Sequence, residues 1–311
     1  MFNPRDIIEI LANNVKQTKS PFGIPKFMAN TWFKEANLPE TGEYLLFTGL
    51  MYQFTPFIET STHYLEKYEN NRRADLLKYI RWVPAYLSGM GLALMTMMTK
   101  RKERKKAGQT LKNIAFLLKK SKVDFGYRPD LDDYSGILLY DMGDLPGFVA
   151  HAQRVAQQLQ SAGIKKIITL DPHTAYALKK LYPKYTGIHF EVKQYFELLN
   201  LAPKNCGLAV TLHDPCFFGR YLEVSDMPRK ALANMGISVT NLRNQGEFTS
   251  CCGGPAESIS PSLSNDIMER RVKELEESGK PIIAYCPICL GNLKKSNANV
   301  EDLSTILARH A

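Results

Sequence analysis

The chain has 311 residues, 44% of them hydrophobic, which suits two ordinary domains with proper cores and excludes a disordered protein. The formal charge of +9 invites a nucleic-acid reading, yet six of the basic residues crowd into KRKERKK at 100–106. No RNP, zinc-finger or helix-turn-helix signature accompanies that run, so it reads as a solvated basic face and no nucleic acid is expected as a partner. The opening MFNPRDIIEILANNVKQTKS carries Asp6 and Glu9 early and lacks an apolar stretch with a cleavage site. A secreted, disulfide-stapled protein is therefore not expected; a cytoplasmic one is, and clustered cysteines then lean towards metal or redox chemistry.

In chain order, residues 1–40 read as an extension or linker, and EYLLFTG (43–49) as the first strand. An insert at about 60–110 follows, containing WVPAYLSGMGLALMTMMT (82–99), eighteen residues without a charge. That length only touches the lower limit of a membrane span, and Pro84, Gly89 and Gly91 interrupt it. A methionine-rich face for a partner or for the rest of the chain leads the readings. Contact of 82–106 with a membrane surface comes next, its basic run meeting anionic headgroups, and a true span comes last. Beyond the insert, VAHAQRVAQQLQSAG (149–163) reads as a helix and KKIITL (165–170) as a strand. GLAVTLH (207–213), ISVTNL (237–242) and PIIAYC (281–286) are further strands. SNDIMERRVKELEESG (264–279) is a helix with Ile267, Met268, Val272 and Leu275 on its apolar stripe and Gly279 closing it. Strands alternating with helices predict α/β layers with mostly parallel sheets.

The two halves resemble each other. AGIKKIITLDPHTAYALKKL (162–181) lies over SGKPIIAYCPICLGNLKKS (278–296), which sets Cys286 opposite Asp171 and Cys289 opposite Thr174. Working backwards, Gly253 falls opposite Gly136, so Cys251 and Cys252 face Tyr134 and Ser135, and Cys216 faces Leu50. The chain thus reads as a duplication of two Rossmann-like halves, 41–200 and 201–311, whose first copy has no cysteine and is longer by about fifty residues between Leu50 and Tyr134.

The second copy runs Cys216-x34-Cys251-Cys252-x33-Cys286-x2-Cys289. Adjacent cysteines bridge each other only with strain, so the pair points to a shared ligand. Thiolates select iron–sulfur clusters or zinc, and CPIC after a strand offers two ligands one turn apart. The glycines after Cys252 let the backbone approach a bulky group. Five thiols exceed the four that a structural zinc or a cubane needs. Cys206 stands outside the pattern and reads as a buried small hydrophobe. His213, three residues before Cys216, would either pass protons to a bound sulfur or hydrogen-bond the site.

This pattern, with HDPC at 213–216, CCGGP at 251–255 and SPFGIPKFMANTWF at 20–33, resembles the cysteine-rich CCG-domain family. That family includes the B and D subunits of heterodisulfide reductase, thiol:fumarate reductase, a type of succinate dehydrogenase subunit and the heterodisulfide-reductase-like complexes of sulfur oxidisers. The resemblance implies one non-cubane [4Fe–4S] cluster on Cys216, Cys251, Cys252, Cys286 and Cys289. It implies disulfide or thiol chemistry, or electron transfer, inside a complex. The partners it implies are a ferredoxin-like protein similar to the C subunit of heterodisulfide reductase, a flavin protein of the same complex and a disulfide or thiol substrate. It also implies a cytoplasmic complex, which membrane contact through 82–106 would make peripheral on the inner face of the membrane. Electron relay of the succinate dehydrogenase type is the alternative, and a zinc-stapled assembly protein the rival from another class. Where the family's B subunit carries two clusters, this chain has Leu50, Tyr134, Ser135, Asp171 and Thr174. Tyr134, Asp171 and His173 then either form a pocket that offers hydrogen bonds and protons or simply fill the first site.

Overall fold

The computed structural model describes residues 3–68 and 83–311. Two four-stranded parallel sheets form the framework. The first holds β1 (Tyr44–Phe47), β2 (Phe125–Gly126), β3 (Lys166–Thr169) and β4 (Glu191–Gln194) in the order β2-β1-β3-β4. The second holds β5 (Leu208–His213), β6 (Ile237–Thr240), β7 (Ile282–Ala284) and β8 (Val300–Asp302) in the order β6-β5-β7-β8. The two orders are the same once β1 is matched with β5, so the duplication expected from sequence is a duplication of topology. Leu45 pairs with Ile167 in one sheet and Leu212 with Ile283 in the other.

The central strands are short apolar runs because helices cover both faces of a parallel sheet. Leu46, Phe47, Ile167, Ile168, Ile282 and Ile283 are all buried. The five expected strands are all present. The three strands the sequence reading missed, β2, β4 and β8, each lie at a sheet edge. They are two to four residues long, and half-exposed residues such as Glu191 and Lys193 blur their pattern. Both expected helices form, as Leu145–Ser161 and Pro261–Glu276, capped by the side chains of Asp144 and Ser260. Met268, Val272 and Leu275 are buried as the stripe predicts, Ile267 is half-buried, and Gly279 takes φ +63°.

The halves share one apolar cluster that contains Leu46 and Ile168 of the first sheet and Val210, Leu212 and Ile283 of the second. The helix Met51–Tyr68 packs against Pro287–Leu293. Nearby, Tyr52 Oη donates to Asp302 at 2.8 Å and Lys295 Nζ lies 3.4 Å from Glu66.

In the insert, Ala85–Thr99 and Arg101–Lys120 are helical, and Trp82 lies outside the described residues. Ala85, Gly89, Ala93 and Thr96 form the buried side of the first of these helices. A Cβ on Gly89 would lie 2.1 Å from the Gly23 carbonyl oxygen, so the two backbones cross too closely for any side chain. The other side exposes Tyr86, Leu87, Met90, Leu94 and Met98. Among the described residues no helix is long and apolar enough to cross a membrane.

Candidate metal centre

In an open parallel sheet, functional groups gather beyond the carboxyl ends of the strands. Cys216 follows β5 by three residues and Cys286 follows β7 by two, while Cys251 and Cys252 come from the loop between β6 and Pro261–Glu276. Cys289 lies one turn into Pro287–Leu293. Cys206 sits before β5, at the opposite end of that strand, where it packs on the shared apolar cluster. All six thiols are free, and Cys252, Cys286 and Cys289 are buried.

The five thiols act on one another. Hydrogen bonds from Cys251 and then Cys289 hold the Cys252 thiol well below its ordinary value, with His213 adding to them. Burial opposes ionisation of Cys286, but the Cys289 thiol and His173 bring it down to about 7. Cys216 is pushed up by burial, and it feels both Cys252 and Cys286. The backbone N–H of Gly253 donates to Cys251 Sγ at 3.3 Å. Cys251 and Cys289 are pushed up, chiefly by their hydrogen bonds to Cys252 and Cys286, so Cys252 and Cys286 are the two held towards thiolate. A soft, all-thiol donor set suits an iron–sulfur group, and no carboxylate competes among the five.

Three braces fix the loops. Asp214 accepts two hydrogen bonds from Arg229, at 2.8 and 2.7 Å, one from Tyr285 Oη at 2.6 Å and one from Gly246 N at 2.7 Å. Thr249 Oγ1 also donates to the Asp214 carbonyl at 2.8 Å. One residue thereby ties the loop of Cys216 to the neighbours of Cys286 and Cys251. Burial alone would raise the Asp214 pKa, but Arg229 holds it below the usual carboxylate range. The second brace is Asn292, whose Nδ2 donates to the Cys252 carbonyl at 2.6 Å, while Ser264 Oγ donates to the Gly253 carbonyl at 2.9 Å. Gly253 itself has φ +85°, and a Cβ there would lie 2.4 Å from the Ser264 carbonyl oxygen. The third is Arg271, fully buried, whose Nε donates to His213 Nδ1 at 3.1 Å. A ring nitrogen of His213, Cys252 Sγ and Cys289 Sγ all lie within 4.8 Å of one another. Sequence reasoning saw HDPC as a motif but missed Asp214, Arg229, Asn292 and Arg271. Asp214, Asn292 and Arg271 are buried and Arg229 is half-buried, which only the tertiary fold reveals.

The first half contributes His173. Its Nδ1 lies 3.3 Å from Asp171 Oδ1 and 4.0 Å from Cys286 Sγ, and its ring packs 4.8 Å from that of Phe217. Burial opposes a charge on His173, but Cys286 and Asp171 outweigh it and raise the pKa well above the ordinary value. Asp171 caps the helix Pro172–Tyr176 by accepting from His173 N and Thr174 N. Tyr134 is fully buried, accepts from Leu138 N at 2.7 Å and packs edge-on to Phe54. The structure thus brings His213 and His173 to the thiols and sets Tyr134 in the core of the first half with Leu50.

Residues 210–294 match the family described as "Cysteine-rich domain", CCG. Over 192 residues the chain is 31% identical to "EtfAB:quinone oxidoreductase" of Syntrophomonas wolfei, covering 56% of this chain and 27% of that one. It is 27% identical over 202 residues to "Probable membrane-anchored ferredoxin" of Chromohalobacter salexigens, covering 60% and 30%. It is 30% identical over 177 residues to the D subunit of "Dihydromethanophenazine:CoB--CoM heterodisulfide reductase" of Methanosarcina barkeri, covering 50% and 43%. The chain therefore spans less than half the length of each of these relatives. Residues 210–294 thus match a CCG cysteine-rich domain, and the chain is similar over half its length to oxidoreductases that include heterodisulfide reductase subunits.

Proposed function

We propose that Cys216, Cys251, Cys252, Cys286 and Cys289 hold one non-cubane [4Fe–4S] cluster and that the chain is the redox subunit of a heterodisulfide-reductase-like complex. The observation that carries this reading is the convergence of five free thiols beyond the ends of β5 and β7. Bound there, the group supplies one-electron chemistry and an iron that can take a sulfur ligand. The chain supplies the rest: Asp214, Asn292 and Ser264 hold the loops, Gly253 N–H donates to Cys251, and burial shields Cys252, Cys286 and Cys289 from water. His173 sets a positive charge beside Cys286. With Leu50, Tyr134, Ser135, Asp171 and Thr174 at the first site, splitting of a disulfide between two clusters is not available. The reaction is reduction of a disulfide, or oxidation of a thiol or persulfide, at this single site. A ferredoxin-like partner similar to the C subunit of heterodisulfide reductase, together with a flavin protein, exchanges the electrons.

Iron and acid-labile sulfide analysis tests this directly: about four of each per chain are expected for a [4Fe–4S] cluster. One zinc and a colourless protein would sink it and favour the zinc-stapled assembly protein.

A second reading is electron relay towards quinone, as in succinate dehydrogenase-type complexes. It draws on the relatives named as an EtfAB:quinone oxidoreductase and a probable membrane-anchored ferredoxin, and on the insert helix. At 100° per residue, Tyr86, Leu87, Met90, Leu94, Met97 and Met98 fall within an arc of about 120°, all exposed and all apolar. Such a face beside the run at 100–106 suits a peripheral contact with an anionic membrane surface. A cluster paramagnetic signal that shifts on adding thiol or disulfide supports sulfur chemistry; one that ignores both supports relay.

A further inference from the structure

We infer that Arg271 fixes His213 as the Nε2–H tautomer, which makes His213 a hydrogen-bond donor towards the sulfurs of Cys252 and Cys289 and not a metal ligand. The inference rests on the thiol site described above and asks what its one adjoining buried imidazole of the second half does.

A guanidinium has five N–H donors and no acceptor. Arg271 Nε points at His213 Nδ1 from 3.1 Å, so Nδ1 must present its lone pair, and the ring hydrogen must sit on Nε2. Three of the four remaining Arg271 donors are committed: Nη1 to the Asn244 carbonyl at 3.0 Å and to Glu274 Oε2 at 2.6 Å, Nη2 to Thr249 Oγ1 at 3.4 Å. Glu274 is itself held by Ser250 Oγ and Asn244 Nδ2, both at 3.1 Å, so the guanidinium plane is anchored on several sides. His213 Nε2 is buried and donates to no oxygen or nitrogen of the protein, while a ring nitrogen of His213 and the Cys252 and Cys289 sulfurs lie within 4.8 Å of one another.

This arrangement opposes metal ligation. A ligating histidine donates its other ring N–H to a carboxylate, carbonyl or water, which leaves the ligating nitrogen unprotonated. Here the other nitrogen meets a donor, so the polarity is reversed. What remains is a fixed dipole aimed at sulfur. Hydrogen bonds to the sulfurs of an iron–sulfur site tune its potential, and they favour the more negative, reduced state.

Two measurements on the protein as purified test this. Histidine ring 15N spectra report the tautomer without reference to the metal present. A proton on Nε2 is expected, and a proton on Nδ1 or an imidazolium would overturn the inference. Redox titration is the second readout. Both Arg271→Leu and His213→Leu should shift the reduction equilibrium against the reduced form on the order of tenfold, about 59 mV for one electron. The double variant should shift no further, and Arg271→Lys should recover part of the change. Loss of iron in His213→Leu with unchanged folding, or an unchanged potential in a folded Arg271→Leu, would overturn it. Iron and sulfide content remains the separate test of the cluster itself.

Discussion

The two halves of this protein share a scaffold down to single dihedral angles and differ in what that scaffold holds. Gly136 and Gly253 both have φ +85° and both open a short helix. Asp171 and Cys286 are both extended residues, at φ −132° and −139°, that precede a proline at the start of a helix. Yet the second half presents thiols where the first presents Tyr134, Ser135, Asp171 and Thr174, all fully buried. Even the brace beneath each site is shared with its partners exchanged. In the first half the Asp132 carboxylate, just before the tyrosine, accepts from Thr48 N at 2.8 Å and Thr48 Oγ1 at 2.7 Å. In the second, Asp214 occupies the place of Thr48 and Thr249 the place of Asp132, and the threonine donates to the aspartate carbonyl. The backbone of the thiol site therefore persists in the first half without thiols, because capping, turn geometry and buried hydrogen bonds suffice to hold it.

The sharpest way to break the comparison is at the adjacent pair. Cys252→Ser should abolish or disrupt the intact cluster, read as lost iron and a changed visible spectrum, while the first half stays folded by limited proteolysis. An unchanged spectrum and iron content would count against Cys252 as a ligand. The glycines come next. Both need positive φ, which costs an alanine about 1–2 kcal/mol, but their surroundings differ. A Cβ on Gly253 runs into the Ser264 carbonyl at 2.4 Å, whereas on Gly136 the nearest atom is the His151 ring at 3.0 Å. Gly253→Ala should therefore lose most of its iron, and Gly136→Ala should lower thermal stability and keep its iron. Equal effects on iron would show that the first half supports the site more closely than the contacts indicate.

Much of this correspondence is legible in the sequence, because the residues that define it are local. Glycine before a short helix, X-Pro at a helix start and the apolar runs of β1, β3, β5 and β7 all leave marks at fixed spacing. What stays illegible depends on partners far along the chain. Arg271 lies on a helix whose sequence gives every reason to expose an arginine, and it is buried because His213, fifty-eight residues earlier, accepts its hydrogen bond. His173 looks like a member of the first site, and only the packing of the halves brings it to Cys286. The edge strands fail for a different reason, being too short for a period of two to register.

The exchanged brace predicts a difference in pH response, with the smallest effect of the three. Burial raises the Asp132 pKa to about 6, from an ordinary 3.8, so the folded first half binds a proton that the unfolded chain does not between those values. Stability contributed there rises as pH falls from about 6 to about 4, by at most about 1.4 kcal/mol per pH unit for one proton. Asp214 has the opposite sign: its depressed pKa contributes stability that is present above the unfolded value and lost only as pH falls through the folded one. His151 complicates the total, since burial lowers it to about 4 and the unfolded chain takes up that proton first, which destabilises the fold across the same window. The informative quantity is thus the difference between wild type and Asp132→Asn in urea melts at pH 7, 6 and 5. Wild type should gain relative to the variant on acidification. A constant difference would mean that Asp132 stays ionised in the fold, held by Thr48 and Tyr127 much as Arg229 holds Asp214, and the two braces would then be electrostatic equivalents.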